Sequence, residues 1–224
     1  MAATALTFTG FPPEAWLFYE QLAANNSREF FAANRSVFET CVRDPMVALT
    51  ADLAPEFGEF KVFRPHRDVR FSSDKSPYKT QLGAVTEGEG GELYYVHLDA
   101  EGLYVASGYY QMAPDQLDRF RRAVDGDRTG QELVKRVERL ERKYAISGQA
   151  LATAPRGYPR DHPRIRFLRH KGLTAGTAFG TPDWLSTAAA VSHIRQAWRG
   201  VRPLNEWLNA HVGPSTLPPD SLRR

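Results

Sequence analysis

The sequence predicts an α+β fold: a single domain in which an antiparallel β-meander is covered by helices from both chain ends. Two observations lead there. Apolar residues recur at helical spacing in the first and last thirds of the chain. Between them, three short β-type segments follow one another with glycine turns, which is the signature of consecutive antiparallel strands.

At the N-terminal end, Pro12 and Pro13 open a helix. Proline is tolerated there because the first turn needs no N–H from it. Trp16, Tyr19, Leu22 and Ala23 then share a face. Asn26 with Glu29 three residues on reads as a capping box for a second helix carrying Phe30, Phe31, Asn34, Phe38 and Cys41. Pro45 should stop that helix and begin a third, with Met46, Leu49 and Leu53 on its apolar side. Cys41 falls on the apolar face, as a small buried hydrophobe.

Phe60 and Val62 alternate as in a strand. Segments 81–86, 93–99 and 103–110 are the meander, and about four to six strands are expected in all, as in most sheets. Glu87-Gly-Glu-Gly-Gly-Glu92 connects two of the strands; its carboxylates and lack of lysine argue against a phosphate loop. Helices follow from Pro114 and over 127–144. Residues 150–170 are basic and broken by prolines, and residues 167–179 mix turn and strand. A long helical stretch over 183–211 buries Trp184, Ile194, Trp198 and Trp207, with Pro203 opening a fresh helical segment. The domain should extend over residues 1–212, with 213–224 as a loose tail.

Composition narrows the function classes. The chain has 224 residues and 42% apolar content, enough for a substantial core. Its single cysteine permits no internal disulfide, which fits a cytoplasmic protein. No stretch approaches the length of a membrane span, and the start lacks the pattern of a secretory signal. A net charge of +3 does not point to nucleic acid in bulk, so only a local patch could bind it.

The densest charge lies in Arg64-Pro-His-Arg-Asp-Val-Arg-Phe-Ser-Ser-Asp-Lys-Ser-Pro-Tyr-Lys-Thr80. With His66 to Phe71 as a strand, Val69 and Phe71 face the core while His66, Asp68 and Arg70 share the other side. Asp68 would hold Arg70, whose remaining donors are then offered to an anion. Asp74 suits an Asx-turn, Pro77 sets the chain before Tyr78, and Lys75 and Lys79 sit near Arg70. The ligand-binding candidates are therefore Arg67, Asp68, Arg70, Asp74, Lys75, Tyr78 and Lys79. The ligand that fits is an anionic small molecule, phosphorylated or carboxylated, and phosphoryl or ester transfer is the reaction class to test. His66 and His97 are the candidate general bases.

His66-x-Asp68 and His97-x-Asp99 each lack the ligand density of a metal motif, so no metal and no cofactor is expected. Ser72-x-x-Lys75 and Ser76-x-x-Lys79 would need a helix start to act as Ser-x-x-Lys catalytic pairs, and Pro77 argues against one. The rival occupant is nucleic acid, or the chain is a scaffold: Arg156, Arg160, Arg164, Arg166, Arg169 and Lys171 are interleaved with Tyr158, His162, Phe167 and His170.

The motif Arg67-Asp68-x-Arg70-Phe71-x-x-Asp74-Lys75-Ser76-Pro77-Tyr78-Lys79 resembles the signature of domain-of-unknown-function family 2461, a family of conserved hypothetical proteins. The resemblance continues upstream in Leu22-x-x-Asn25-Asn26-x-x-x-Phe30-Phe31-x-x-Asn34-Arg35. Downstream it runs through Tyr95-x-His97-Leu98, Gly108-x-Tyr110, Pro155-x-Gly157-Tyr158 and Pro203-Leu204-x-x-Trp207-Leu208. It covers about residues 7 to 212. Phe31 stands where relatives often carry tryptophan. The resemblance implies one domain and carries no activity.

Overall fold

Helices at both ends of the chain enclose a run of strands in sequence, so the α+β class follows from the element order itself. The structure, a computed structural model, describes residues 7–217 apart from Val69, Phe71, Ser72 and Glu89. Helices α1 (Glu14–Ala24), α2 (Arg28–Ala33), α3 (Arg35–Val37) and α4 (Asp44–Phe57) come first. Strands β1 (Lys61–Val62), β2 (Gln81–Glu87), β3 (Leu93–Asp99) and β4 (Gly102–Tyr109) follow. Then come α5 (Pro114–Asp125), α6 (Asp127–Leu140), β5 (Ala145–Ser147), α7 (Ile165–Leu168), β6 (Leu173–Gly180) and α8 (Ala189–His211). The sheet is antiparallel and six-stranded, in the order β1-β2-β3-β4-β6-β5. The expected meander is its β2-β3-β4 portion.

Contacts gather into two units, each drawn from three separate stretches of chain. One comprises Met1–Thr86, Tyr95–Val105 and Ala178–Gln196. Its core is aromatic: Phe18 packs on Phe31 and Phe38 at ring separations of 5.9 and 5.7 Å. Met46, Leu49, Leu53, Leu82, Ala84, Val96 and Leu98 are buried in the same unit. Alternate strand residues are buried, so Leu82 and Ala84 of β2 and Val96 and Leu98 of β3 point inward. Their neighbours Gln81, Tyr95, His97 and Asp99 are only partly covered. At the β3–β4 turn, Gly102 has φ +108, and a Cβ there would lie 2.0 Å from the Gly180 carbonyl oxygen, so no other residue fits.

The other unit comprises Glu87–Tyr94, Ala106–Thr177 and Ala197–Arg224. Phe120, Val124, Leu133, Val137, Leu173, Leu204, Trp207 and Leu208 form its core. Trp207 meets Phe120 edge-on at 6.1 Å and donates its indole N–H to the Thr129 carbonyl at 3.0 Å. Burying an indole is favourable only when its N–H is satisfied in this way.

Several elements differ from expectation. Pro45 does not stop the second helix. The chain runs from α3 through a π-type turn over Phe38–Arg43 into α4, with Pro45 in the first turn of α4. There its missing N–H costs nothing. Ser27, one residue after the expected Asn26, caps α2 by accepting from the Phe30 N–H at 3.1 Å. Cys41 is half-buried, not a core residue. Pro203 lies inside α8 without starting a new segment. The first residues of the expected loose tail are tied down. Asp115 accepts from Ser215 Oγ at 2.8 Å and from the Thr216 N–H at 2.9 Å, and Arg119 donates to the Pro214 carbonyl at 2.8 Å. Residues 218–224 of that tail lie outside the described residues.

Candidate functional site

The charge-dense stretch is a hairpin stem, not the expected strand over 66–71. His66 pairs with Tyr78 as an isolated antiparallel bridge. The Arg67 N–H donates to the Pro77 carbonyl at 2.9 Å, and the Lys79 N–H to the Pro65 carbonyl at 2.8 Å. This places His66 and Tyr78 opposite each other at a non-hydrogen-bonded position, where side chains approach most closely. Their rings lie 5.1 Å apart. A longer ladder is precluded because Pro65 and Pro77 have no N–H to contribute. Val69 and Phe71, expected to anchor the segment in the core, lie outside the described residues, as does Ser72 of the first Ser-x-x-Lys match.

Tyr78 is the anchor instead. It is 7% exposed, and its ring stacks on Phe31 at 4.0 Å with 9° between planes. Asn26 holds its backbone: the Asn26 amide donates to the Tyr78 carbonyl at 2.9 Å and accepts from the Tyr78 N–H at 3.1 Å. One amide side chain thus takes the place of a neighbouring strand, which is why Asn26 is not the helix cap. Asn34 is likewise spoken for, donating to the Phe30 carbonyl at 2.9 Å at the end of α2.

Two internal ion pairs organise the loop. Arg70 clasps Asp68 through Nε at 3.0 Å and Nη2 at 2.7 Å, as the spacing predicts. The hydrogen bonds from Arg70, joined by its charge, hold the Asp68 carboxyl down to about 2. Both side chains are largely exposed. Asp74 accepts from the Ser76 N–H at 2.9 Å and the Ser76 hydroxyl at 2.7 Å, forming the expected Asx-turn. Its other oxygen takes Arg67 Nη1 at 2.5 Å. The hydrogen bonds from Ser76 lead in lowering its pKa, with Arg67 adding to them. Lys75 lies exposed beside it in sequence.

Lys79 lies against an aromatic ring. Its ammonium lies 5.2 Å from the centre of the Phe63 ring. Partial burial lowers its pKa first, and the positive charges of Arg64 and Arg67 lower it further. Arg67 Nε is buried and has no hydrogen-bond partner among the described residues.

A second polar group lies along the outward side of β2 and β3. Gln81 Nε2 donates to the Tyr95 hydroxyl at 2.9 Å. That hydroxyl lies 3.1 Å from His97 Nδ1, and His97 Nε2 lies 3.3 Å from Asp99 Oδ2. His97 stacks on Tyr104 at 5.0 Å. Burial lowers the His97 pKa, against an opposing pull from Asp99. Gly83 makes room for the group, since a Cβ there would come within 3.0 Å of the Tyr95 hydroxyl and 3.2 Å of the Phe63 ring. The Phe63 N–H donates to the Gly83 carbonyl at 2.9 Å. Phe63 thus borders Gly83, as the Tyr95 hydroxyl does, and carries the Lys79 ammonium over its ring. Sequence reasoning placed His97 beside Asp99 but missed Tyr95, although the strand period puts residues 95, 97 and 99 on one side. Gln81 and Phe63 gave no comparable signal.

His97 titration has a consequence for stability. Its folded pKa lies below the ordinary value of 6.5, so the unfolded chain takes up the proton first as pH falls. Stability present above 6.5 is lost as pH drops through the lower folded value, and changes no further from this group beneath it. Burial lowers the His170 pKa as well, with the same sign. Urea midpoints measured across this range should fall with acidification, and His97→Gln should flatten the fall. An unchanged slope in that variant would contradict the assignment.

In the basic segment, Arg164 is inside the protein and bonds to the Val124 and Asp125 carbonyls, both at 2.6 Å. Arg166 pairs with Glu141, and Arg169 donates to the Leu151 carbonyl at 2.6 Å. Among the described residues no helix is long and apolar enough to cross a membrane.

A family model for conserved hypothetical proteins matches residues 14–207. The chain belongs to the DUF2461 family. The match lies within the span of the resemblance read from the sequence, and both the Arg64–Thr80 hairpin and the Tyr95–Asp99 group of this DUF2461 chain fall inside it. No curated protein matches the chain.

Proposed function

We propose that the chain is a cytoplasmic protein that binds an anionic small molecule, phosphorylated or carboxylated, beside the Arg64–Thr80 hairpin. The observation that carries this reading is the buried Arg67 Nε, which has no hydrogen-bond partner among the described residues, with Arg64 and Lys79 near enough that the charges of Arg64 and Arg67 add to the burial that lowers the Lys79 pKa. Like charges held together cost free energy unless an anion relieves them. Asp74 is the carboxylate that already engages Arg67, through Nη1. Asp68 and Arg70 neutralise each other, so they shape the loop and leave the attraction to Arg64, Arg67 and Lys79. Lys75 and Tyr78 flank the ligand seat in sequence, Tyr78 as the ring that fixes the stem. Phosphoryl or ester transfer remains the chemistry such a seat would serve.

Nucleic-acid binding through residues 156–171 is less favoured, because Arg164, Arg166 and Arg169 are already engaged within the protein. Titration with inorganic phosphate, followed by calorimetry, separates the cases. Arg64→Ala and Lys79→Ala should each weaken phosphate binding about tenfold, the loss expected for one charge-assisted hydrogen bond. Their unfolding midpoints should stay unchanged. If both variants bind phosphate like the parent, the seat is elsewhere or absent.

A further inference from the structure

We propose that Tyr95 is a catalytic nucleophile, activated by His97 and Asp99, and that it accepts the acyl group of carboxylic esters bearing a negative charge. Only the preference for a charged ester rests on the anion-binding reading above; the nucleophile does not.

The direction of the hydrogen bonds sets the argument. Asp99, when ionised, can only accept. His97 Nε2, 3.3 Å away, therefore carries the imidazole proton, which leaves Nδ1 as an acceptor. The Tyr95 hydroxyl, 3.1 Å from Nδ1, must then donate to it. Gln81 Nε2 donates to the same phenol oxygen at 2.9 Å. The chain of donors thus runs from Gln81 to Tyr95 to His97, with His97 oriented from behind by Asp99. A nucleophile within reach of a base that a carboxylate orients is the arrangement of covalent catalysis. Burial keeps His97 unprotonated, ready to accept. The Gln81 N–H stabilises the phenolate once the proton has moved.

The environment selects the substrate. Tyr95 is partly exposed on the side of β3 that the core does not cover. Phe63 and the Tyr95 hydroxyl both border Gly83, and the Lys79 ammonium sits over the Phe63 ring. An ester whose acyl carbon meets Tyr95 could pass its apolar portion over Phe63 and set a terminal carboxylate or phosphate against Lys79 and Arg64.

In the acylation step the Tyr95 oxygen bonds to the acyl carbon and the bond from that carbon to the leaving oxygen breaks. The phenolic proton passes to His97 Nδ1 and from there to the departing alkoxide. In the second step water attacks the acyl carbon, its proton goes to His97, and the tyrosyl oxygen leaves as phenolate and recovers that proton. The sum is ester plus water giving acid plus alcohol, with no oxidant or further reactant. Gln81 and Asp99 are positioning residues.

The test uses the whole chain with p-nitrophenyl acetate and with the anionic mono-p-nitrophenyl succinate. The parent should release p-nitrophenol with acylation mapped by mass spectrometry to Tyr95 in preference to Tyr104 and to the lysines. The pH profile should follow His97 and fall on its protonation. Tyr95→Phe should lose the label with its unfolding midpoint retained, and His97→Gln should slow labelling about 100-fold, the typical loss of a general base. Label confined to lysines, or label at Tyr95 that His97→Gln does not slow, would overturn the proposal. Lys79→Ala separates the two readings. If it slows only the succinyl ester, both stand; if it slows neither ester while His97→Gln slows both, the nucleophile stands and the charged-ester preference falls.

Discussion

Replacing Tyr78 with alanine is expected to lower the unfolding free energy by about 3–5 kcal/mol, the range for removing a buried aromatic ring. The ring is 7% exposed and lies flat on Phe31 at 4.0 Å. It connects the charged hairpin to the aromatic core that Phe31 shares with Phe18 and Phe38. Removing it leaves a cavity and frees the stem that positions Arg67 and Lys79, so phosphate binding should weaken in the same variant. Two controls distinguish stacking from bulk. Tyr78→Leu should recover part of the stability by filling the space. A double-mutant cycle with Phe31→Leu should give a coupling of about 1 kcal/mol, as for other aromatic pairs. Chemical denaturation reads both. A loss well below 1 kcal/mol for Tyr78→Ala would mean that the stem is held by Asn26 alone.

The second large effect is expected at Arg164. This guanidinium, in a residue 8% exposed, donates to the carbonyls of Val124 and Asp125 and reaches Asp127 at 3.3 Å. Those carbonyls belong to the last residues of α5, where the helix leaves its acceptors without intrahelical donors and favours a cation. His162 completes the arrangement. It accepts from the Arg164 N–H through Nδ1 at 3.0 Å and therefore offers Nε2–H to Asp125 at 3.1 Å. Gly130 lets the side chain pass, since a Cβ there would lie 2.5 Å from Arg164 Nε. Arg164→Met, which preserves length and apolar packing, should cost about 3 kcal/mol, the scale of charge-assisted bonds lost with carbonyls left unpaired. Arg164→Lys should recover only part of this, because an ammonium cannot reproduce the fork. If Arg164→Met leaves stability unchanged and instead abolishes binding of an oligonucleotide, the basic segment is an interface after all.

Several features were legible in the sequence because they are local. The Asp68–Arg70 clasp and the Asp74 Asx-turn each join residues two apart, and the order of β2, β3 and β4 follows from alternation and glycine turns. The same period also contained the Tyr95, His97 and Asp99 side of β3. The strand expected over 66–71 failed for a physical reason that the sequence also held: Pro65 and Pro77 interrupt the donors a ladder needs.

Chain chemistry alone thus determined the α+β class, the family, and the charges that the Arg64–Thr80 stretch carries. Tertiary structure decided what those charges do. Asn26 reaches Tyr78 across 52 residues, and Gln81 reaches Tyr95 across 14. Contacts of that separation depend on how the elements pack, so residue spacing does not reveal them. Packing turned an apparent helix cap into the clamp of a hairpin, seated the Tyr78 ring on Phe31, and brought the Gln81 amide to the phenol that the strand period had already set beside His97.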